Sequence, residues 1–532
     1  MSPSIASSIG SIYTHRKKWE SILSKLEPNQ TIINNAPNRF GKTVTTLKYY
    51  SKLPGKFLYL SDRHAQIEEL KIAKSLHWQG HKIKCERKDD PFINSLMLQG
   101  LGANIICRNF CDKSSCGYKT QFTIPQDVIV VAPKEYLQTT YTQENPWDSI
   151  ILDENLEKAK KITYHYPTIS KDIFKTNLVD DTFYEIIGKI LKGSTYKKSD
   201  LEYIEQKALL AYNKLPNVIE MSIGPGYSPL TSEEENLIAY LNNIPNTFEW
   251  ISYTMKYGIM DHYYKPYLHF AHELQSKNKS TLIILNTSFD RVIYDQLLER
   301  YPKPLFEPLT YNVPLINKES YLLHYNHHNK SLSKNTITDS TGKKFGGHYG
   351  KEIYEMVKNT VSFAKKRKLK TGIITFKSLT DEIKELFGDD VHVTSYFGGH
   401  QGSNKFDDVD ILIIIGTFHL NQLGLYQKHY IINNEFLKDD HAIWGGENNQ
   451  IINGMQINLS NNDKLNNVKI YKLNEEHQQA IFRSGAHIQP GKIVVSFGFV
   501  PEGIEKILTY KKFISKHQLL GLLSKIKTKK KT

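Results

Sequence analysis

The feature that most constrains the fold is a short segment near the N-terminus, residues 34–43, with the sequence Asn-Asn-Ala-Pro-Asn-Arg-Phe-Gly-Lys-Thr. Two apolar residues, Ile32 and Ile33, precede it, and residues 44–50, which have helical character, follow it. Strand, tight loop and helix in this order are typical of a phosphate-binding P-loop, because backbone N–H groups and the helix dipole converge where the helix begins. The predicted phosphate-contacting residues are Ala36, Pro37, Asn38, Arg39, Phe40, Gly41, Lys42 and Thr43.

Two side chains of this loop have separate predicted roles. Lys42 is placed to reach the β- and γ-phosphates of a nucleotide, and the Thr43 hydroxyl is placed to hold Mg²⁺. Ala36 stands where the P-loop pattern has its first glycine, and a small residue at that position still permits the turn.

A second chemical feature lies further along the chain, where the apolar run 147–152 ends in two carboxylates, Asp153 and Glu154. In this Walker B arrangement, Asp153 would hold Mg²⁺ through water and Glu154 would polarise the attacking water. Asp-Glu pairs at strand ends are common by accident. The pair Asp153-Glu154, however, follows a P-loop and lies among alternating strand and helix patterns. This position favours a role in nucleotide hydrolysis over an accidental match.

Length and composition limit the class of protein. The 532 residues give room for two or three domains, and 39% hydrophobic and 11% aromatic residues are typical of a globular chain. No stretch approaches the ~20 apolar residues of a membrane helix, and the N-terminus lacks the apolar core of a signal peptide, so we expect a cytoplasmic protein without a membrane partner. The net charge of +14 suits a polyanionic partner, although charge alone decides little.

All four cysteines, Cys85, Cys107, Cys111 and Cys116, fall in one loop-rich segment at about residues 78–125. Intracellular thiols stay reduced, so two disulfides are not expected. Four thiolates this close in sequence fit a four-cysteine site for zinc or for an iron–sulfur cluster, and the spacing does not separate the two. Four unrelated buried cysteines are the alternative.

Strand patterns followed by helix patterns recur along the chain and predict an α/β fold with parallel sheets. The expected strands lie at about residues 56–60, 127–132, 149–152, 281–285, 370–377, 391–397, 411–417 and 493–497. The expected units are a first domain at 1–300, a linker at 301–344, a second domain at 345–500 and a basic C-terminal tail at 501–532. The first domain would carry the cysteine insert and a mainly helical insert at about 156–280.

Further candidate residues follow strands in both domains. Asn286-Thr287-Ser288 follow a buried strand, where they could relay the state of the phosphate to the neighbouring domain or simply form a polar cap. In the second domain, Gly402 and Asn404 belong to a Gly-Ser-Asn loop that offers donors to phosphate. Gln479 and Arg483 lie on one predicted helix, and Arg483 is the nearby arginine that could reach across to a γ-phosphate.

The order of these motifs, P-loop, Asp-Glu, Asn-Thr-Ser, Gly-Ser-Asn and Gln-Gln-(x)₃-Arg, resembles that of superfamily 2 helicases over residues 30–500. A cysteine insert before Asp153 and a helical insert before Asn286 look most like XPD/DinG-type iron–sulfur helicases, and Cys116-Gly117-Tyr118 is similar to the Cys-Pro-Tyr of that family. Three features depart from the pattern: Asn155-Leu156 after the Asp-Glu pair, Phe482 in place of a glycine, and a missing second arginine with His487 nearby.

The resemblance implies two RecA-like domains with ATP and Mg²⁺ between them, and it favours a [4Fe-4S] cluster over zinc at the cysteines. It also implies a monomer that moves 5′→3′ on single-stranded or forked DNA in preference to RNA. Arg16, Trp19 and Gln30 lie where many helicases contact the adenine base, and packing of an N-terminal helix is the alternative for them.

Two rival functions remain open at this point. One is a P-loop ATPase that moves DNA or remodels a complex without separating strands. The other is a non-enzymatic, metal-stapled nucleic-acid-binding protein with a relic nucleotide site. The joint presence of Lys42, Thr43, Asp153, Glu154 and Arg483 argues against the second rival.

Overall fold

The computed structural model describes residues 3–37, 39–62, 72–91, 93, 107, 116–159, 180–183, 185–186, 197, 199–200, 202–203, 206–207, 266–299, 307–313, 315–326, 332–338, 345–400, 405–420, 422–433, 435, 448–453 and 455–526. The strands in chain order are β1 (Thr31–Asn34), β2 (Lys56–Ser61), β3 (Ser75–His77), β4 (Val128–Pro133), β5 (Ser149–Asp153), β6 (Thr281–Leu285), β7 (Leu309–Tyr311), β8 (Asn317–Tyr325), β9 (Thr371–Thr375), β10 (Val393–Tyr396), β11 (Ile411–Ile415), β12 (Gln450–Ile452), β13 (Met455–Ile457), β14 (Ile493–Phe497) and β15 (Leu508–Phe513).

The helices are the N-terminal helix (Pro3–Leu23), the P-loop helix (Lys42–Tyr50), His81–Lys84, Gly117–Thr120, Thr140–Glu144, Tyr267–Asn278, Arg291–Leu298, Lys334–Ile337, Gly350–Lys366, Thr380–Phe387, Gln422–Asn433, the cleft helix (Asp463–Phe482), Ile504–Ile507 and Lys516–Lys525. Short 3₁₀ turns occupy Lys134–Gln138, Lys377–Leu379 and Gly388–Asp390. In the part of the chain described, no helix is long and apolar enough to span a membrane.

The first sheet has seven strands in the order β3-β4-β2-β5-β6-β1-β7, and every paired neighbour runs parallel. Its central strands are nearly continuous apolar runs, and all residues of β4 and β6 are buried. Such strands suit a parallel sheet that helices cover on both faces. The carboxyl ends of β5, β6 and β1 therefore lie side by side.

The second sheet has six parallel strands in the order β10-β9-β11-β14-β8-β15. Its central strand β11, Ile-Leu-Ile-Ile-Ile, is buried along its whole length. A short antiparallel pair, β12 with β13, lies outside both sheets. These two parallel-sheet domains confirm the predicted α/β fold class.

Helices cover both faces of the first sheet. Trp19 from the N-terminal helix and Leu47 from the P-loop helix pack on one face, together with Tyr59 of β2. Leu268 and Leu274 from helix Tyr267–Asn278 pack on the other face. That helix falls in the predicted helical insert, so the first domain resumes by residue 267, while most of the insert lies outside the described residues.

Two segments differ from the predicted boundaries. Residues 301–344, predicted as a linker, contain β7 at the edge of the first sheet and β8 within the second sheet. Residues 501–532, predicted as a basic tail, contain β15 at the edge of the second sheet and the helix Lys516–Lys525, of which Leu519 and Leu523 are fully buried. The linker and tail assignments are wrong for these elements. The edge strands β7 and β15 need few apolar residues and tolerate lysines, and the inner strand β8 begins with polar residues.

The two domains also share apolar packing away from the sheet edges. Tyr294 and Leu297 of helix Arg291–Leu298 belong to the same buried cluster as Leu425 of helix Gln422–Asn433 and Val468 of the cleft helix. The second domain therefore packs against the first through two of its helices, and the cleft between the sheets lies beside this contact.

Candidate nucleotide site in the cleft

Parallel pairing brings three sequence motifs together at the carboxyl edge of the first sheet. Asn34, the last residue of β1, pairs with Leu285 of β6, and Asp153, the last residue of β5, pairs with the same Leu285. The P-loop, the Asp-Glu pair and Asn286–Ser288 consequently leave adjacent strands at one place. Ligand sites of open α/β sheets lie at this edge.

The P-loop closes on itself through backbone contacts. The Ala36 N–H donates to the Asn34 Oδ1 at 3.0 Å, and the Phe40 N–H donates to the Pro37 carbonyl at 3.4 Å. Gly41 has φ of 79°, the left-handed region that glycine adopts without a steric cost. A Cβ there would also lie 2.7 Å from the Arg16 Nε, so the Arg16 side chain covers this end of the loop.

Lys42 lies inside the loop, 7% exposed. Its Nζ donates to the Ala36 carbonyl and, at 2.7 Å, to the Thr287 Oγ1, so the loop is tied to the Asn-Thr-Ser segment. Burial lowers the pKa of Lys42 to about 8, the carboxylates of Glu154 and Asp153 oppose this shift, and the charge of Arg483 adds to it. The ammonium is therefore still protonated at neutral pH, with an arginine of the second domain near enough to act on it.

Asp153 stands between two hydroxyl groups. It accepts from the Thr43 Oγ1 at 3.1 Å and from the phenol of Tyr59, a buried residue of β2. Burial and the neighbouring charge of Glu154 raise the pKa of Asp153 to about 6, whereas the Tyr59 hydrogen bond and the charge of Lys42 lower it. Asp153 thus lies in a buried place where the neighbouring carboxylate of Glu154 and the charge of Lys42 act on it in opposite directions.

Glu154 follows in a left-handed conformation with φ of 51°. Its N–H donates to the Leu285 carbonyl at 2.8 Å, and its carbonyl accepts from the buried Lys134 Nζ. Lys134 also forms an ion pair of 2.7 Å with Asp62, which follows β2. These contacts hold the backbone of Glu154 and leave its carboxyl group at the end of β5.

The second domain contributes the C-terminal end of the cleft helix. Arg483 is the residue immediately after this helix and is 7% exposed, and Gln479 lies buried one turn before it. Arg39 of the P-loop reaches across to this helix end and contacts the Arg483 carbonyl and the Asp407 carboxylate. The structure therefore brings Lys42, Thr43, Asp153, Glu154, Arg39 and Arg483 to one cleft. Asn38, Gly402 and Asn404 lie outside the described residues.

The N-terminal helix has a packing role at this site. Trp19 is fully buried, donates from Nε1 to the Thr46 Oγ1 at 2.8 Å and stacks on Tyr311. Gln30 accepts from the Glu27 N–H at 3.0 Å. The burial of Trp19 favours the packing interpretation for it, while the exposed Arg16 faces the P-loop at Gly41.

Parts of the cysteine segment lie close together. Cys85 and Cys116 are buried, and a Cβ at Gly117 would lie 3.2 Å from the Lys84 carbonyl, so the chain next to one cysteine touches the chain next to the other. Burial is the main cause that raises the pKa of Tyr118, and Tyr136, Cys107 and Cys116 add to this shift, so both cysteines lie in the neighbourhood of this residue. Cys111 lies outside the described residues, and among the residues that are described no group of three or more His, Cys, Asp or Glu could hold a metal.

A second contact between the domains lies behind the cleft. Glu157, four residues after Asp153, is fully buried and pairs with Lys472 of the cleft helix at 2.7 Å and with Lys428 at 3.2 Å. Lys472 also contacts Glu475, which is buried one turn further along the same helix. Four charged side chains thus lie within the apolar contact between the domains.

Several residues of the site were not found by sequence reasoning. Tyr59 on Asp153 and Lys134 beneath Glu154 depend on which strand neighbours which, and no local motif indicates them. Thr287 was singled out, but its partner Lys42 is 245 residues away in sequence. The reach of Arg39 across the cleft depends on the placement of the second domain.

No protein-family model matches the chain, and no curated protein matches it. Among solved structures, a DEAD box protein from the hyperthermophile Methanococcus jannaschii is similar over 99% of this chain and 96% of its own, with 10% identity and a TM-score of 0.30. T4 UvsW is similar over 91% of this chain and 81% of its own, with 11% identity and a TM-score of 0.18. The Pyrococcus furiosus Hef helicase domain is similar over 91% of this chain and 95% of its own, with 11% identity and a TM-score of 0.19. At such low identity and TM-score these likenesses identify no family, so function has to be inferred from the residues of the cleft.

Proposed function

We propose that the protein is an ATP-dependent helicase or translocase that hydrolyses ATP between its two parallel-sheet domains to move on nucleic acid. One observation carries the proposal. Lys42, Thr43 and Asp153 meet at the carboxyl edge of the first sheet, and Arg483 of the second domain acts electrostatically on Lys42 across the cleft. A triphosphate has the charge and the length to join these groups.

The chain's own residues supply positioning and charge. Lys42, protonated at neutral pH, would bind the β- and γ-phosphates, and Arg483 would stabilise the charge that develops on the transferred phosphoryl group. Glu154, whose backbone is held by Lys134 and Leu285, would orient and polarise the attacking water. Thr287, bonded to Lys42, would sense whether the γ-phosphate is present.

The donor set at Thr43 and Asp153 fits Mg²⁺. A hydroxyl and a carboxylate 3.1 Å apart are oxygen ligands of the kind that this hard cation prefers. Burial first and then the charge of Glu154 raise the pKa of Asp153, and a cation bound at this carboxylate would oppose both effects. Thr43 and Asp153 would hold this ion, which would supply positive charge opposite the phosphates.

Nucleic acid is the proposed polyanion on which the domains move. The net charge of +14 supports a polyanionic partner, and we favour single-stranded or forked DNA over RNA. Opening and closing of the cleft, driven by ATP binding and hydrolysis, would shift the two domains along the strand.

For the cysteines we propose one [4Fe-4S] cluster held by Cys85, Cys107, Cys111 and Cys116, with zinc as the alternative metal. The close approach of the chain segments that carry Cys85 and Cys116 supports a common site. A bound cluster or metal would stabilise the fold of this segment, because the segment is too small to bury a core of its own.

ATP turnover with and without single-stranded DNA tests the proposed function. We expect hydrolysis by the wild type to rise when DNA is added. Glu154→Gln should reduce turnover by a factor of about 10²–10⁴ while ATP stays bound, because only water activation is lost. Lys42→Ala should instead weaken ATP binding, because it removes a charge from the phosphates.

The outcomes separate the proposal from its rivals. Turnover by Glu154→Gln at the wild-type rate would mean that the Walker B assignment is wrong. A protein without any ATP turnover in the presence of DNA would instead be a nucleic-acid-binding protein with a relic site. A forked-duplex displacement assay then decides between unwinding and translocation without strand separation.

Metal analysis tests the cysteine site separately. Protein purified anaerobically and without chelators should be brown, with about four irons per chain, if the cluster is present. A colourless protein with about one zinc per chain would identify the alternative metal. Protein that contains neither iron nor zinc would contradict a metal site at the cysteines. This result would leave the ATPase proposal unaffected.

A further inference from the structure

Arg39 is a P-loop residue whose side chain makes polar contacts in the other domain. It has φ of 70°, a left-handed conformation that costs about 1–3 kcal/mol in a residue other than glycine. Neighbouring Phe40 packs with Ile488 of the second domain, and its ring stacks on His487 at a centroid distance of 6.5 Å. This strained backbone turns the side chain of Arg39 away from the loop and towards the cleft helix.

The guanidinium of Arg39 joins two separate loops of the second domain. Its Nη2 donates to the carboxylate of Asp407 and to the backbone carbonyl of Arg483. Asp407 lies in the loop before β11, and Arg483 lies at the end of the cleft helix. The side chain is 16% exposed, although it carries a full charge. Both bonds leave from Nη2 at the far end of the side chain, which the shorter side chain of a lysine does not reach in the same backbone conformation.

Gly485 gives Arg39 the space that it occupies. This glycine has φ of 77°, and a Cβ at this position would collide with the Arg39 Nη1. Two residues after Arg483, the left-handed backbone favours glycine, and the absence of a side chain leaves room for the guanidinium in its observed position. The end of the cleft helix is shaped around the guanidinium of Arg39.

The charges in this corner explain why Asp407 belongs to the contact. The guanidinium groups of Arg39 and Arg483 lie close enough for each to disfavour the other's charge, and Arg483 also acts on Lys42. Asp407 favours the charged form of Arg39. The carboxylate thus offsets part of the repulsion among three cations that gather before a phosphate arrives.

We propose that Arg39 is a positioning residue, which ties the P-loop to the end of the cleft helix and thereby holds Arg483 beside Lys42 for hydrolysis. The inference rests on the proposed ATPase activity. It assigns to the Arg39 side chain a task separate from the phosphate contacts that the loop's backbone makes. Because Arg39 bonds the carbonyl of Arg483 itself, a loss of this bond acts on the position of that arginine.

A double-mutant cycle on kcat for ATP tests the proposal in the full-length protein. Arg39→Ala should lower kcat about tenfold or more, since small misplacements of a catalytic group have large effects on rate. The double variant Arg39→Ala/Arg483→Ala should be no slower than Arg483→Ala alone, because Arg39 acts through Arg483. Arg39→Lys should fall between wild type and Arg39→Ala, because it keeps the charge on a side chain that is one bond shorter and reaches the Arg483 carbonyl less well.

Arg291→Ala is the matched control, because Arg291 is an arginine whose ion pairs with Asp295 and Glu307 lie within the first domain. We expect the control to hydrolyse ATP at the wild-type rate. Thermal unfolding of each variant identifies any that fails to fold. If Arg39→Ala does not fold, kcat of Arg39→Lys is compared with that of the wild type instead.

Three results would overturn the positioning role. The first is a wild-type kcat in Arg39→Ala or in Arg39→Lys. The second is a raised KM for ATP with unchanged kcat in Arg39→Ala. The third is a double variant in which the effects of Arg39→Ala and Arg483→Ala on kcat multiply. Absence of turnover in the wild type would count against the proposed function itself, so the two failures are distinguishable.

Discussion

Two contacts join the domains, and they differ in chemistry. The cleft-edge contact, formed by Arg39 and Phe40 with Asp407, Arg483, His487 and Ile488, is polar at its rim, and the Asp407 side chain is 53% exposed. The buried charged contact, formed by Glu157, Lys428, Lys472 and Glu475, lies within apolar packing, and the side chains of Glu157 and Glu475 are each 1% exposed.

The difference indicates which contact opens during a nucleotide cycle. An exposed ion pair exchanges readily with water or with a bound anion, so the cleft-edge contact can rearrange when phosphate enters. Separating the buried charged contact would leave charges without partners in an apolar setting, at a large cost in free energy. We therefore expect the domains to turn about the buried charged contact while the cleft edge opens and closes.

The largest effect is expected at the centre of the buried charged contact. Lys472→Met would leave the carboxylates of Glu157 and Glu475 buried with one fewer cation, at a cost of about 3–5 kcal/mol in the free energy of unfolding. Thermal and urea unfolding without nucleotide measure this loss.

Lys428→Met is the comparison for that variant. The Lys428 side chain is 25% exposed and pairs with Glu157 alone, whereas Lys472 contacts both buried carboxylates, so the loss of Lys428 should cost less than the loss of Lys472. Equal unfolding midpoints for wild type and Lys472→Met would show that this contact does not hold the domains together in solution.

A smaller effect is expected from pH at the same contact. Burial, together with the charges of Glu157 and Glu476, raises the pKa of Glu475 from 4.5 to about 7, against the lowering effect of Lys472. Between these two values the folded protein keeps a proton that the unfolded chain has lost. The contribution of Glu475 to stability is therefore present below pH 4.5 and is lost as the pH rises through about 7.

Glu475→Gln tests this sign, because the amide cannot ionise. Relative to this variant, the wild type should lose thermal stability between about pH 5 and about pH 8. A difference in melting temperature that stays constant over this range, or that changes in the opposite direction, would contradict the raised pKa.

Much of the fold follows from local pattern. Continuous apolar runs such as β4, β6 and β11 mark strands buried on both faces, and they were predicted where the structure has them. Strand β15 was missed because it lies at a sheet edge, where only Leu508 and Phe513 at its two ends are buried and two adjacent lysines are exposed. Strand β8 was assigned to a linker because its first half is polar.

The residues of the candidate site also divide into those that belong to a local sequence motif and those that do not. Lys42, Thr43 and Asp153 were expected because each belongs to a short motif with a strand or a helix beside it. Glu157 and Lys472 were not, because they are 315 residues apart and neither belongs to a motif. Contacts of this kind depend on how two domains pack, which local periodicity does not encode.

The smallest effect on stability is expected at the rim of the cleft-edge contact. Asp407→Asn removes the charge that faces Arg39 and leaves the bond from Arg39 to the Arg483 carbonyl in place. Since Asp407 is 53% exposed, the loss of its ion pair should cost at most about 1 kcal/mol in the free energy of unfolding. Salt screens exposed charges, so the difference from wild type should shrink when the ionic strength rises from about 0.05 M to about 0.5 M. Unfolding midpoints of both proteins at the two salt concentrations measure it. A loss as large as that of Lys472→Met, or one that salt does not reduce, would mean that the cleft edge is as permanent a contact as the buried one, and that the domains do not open there.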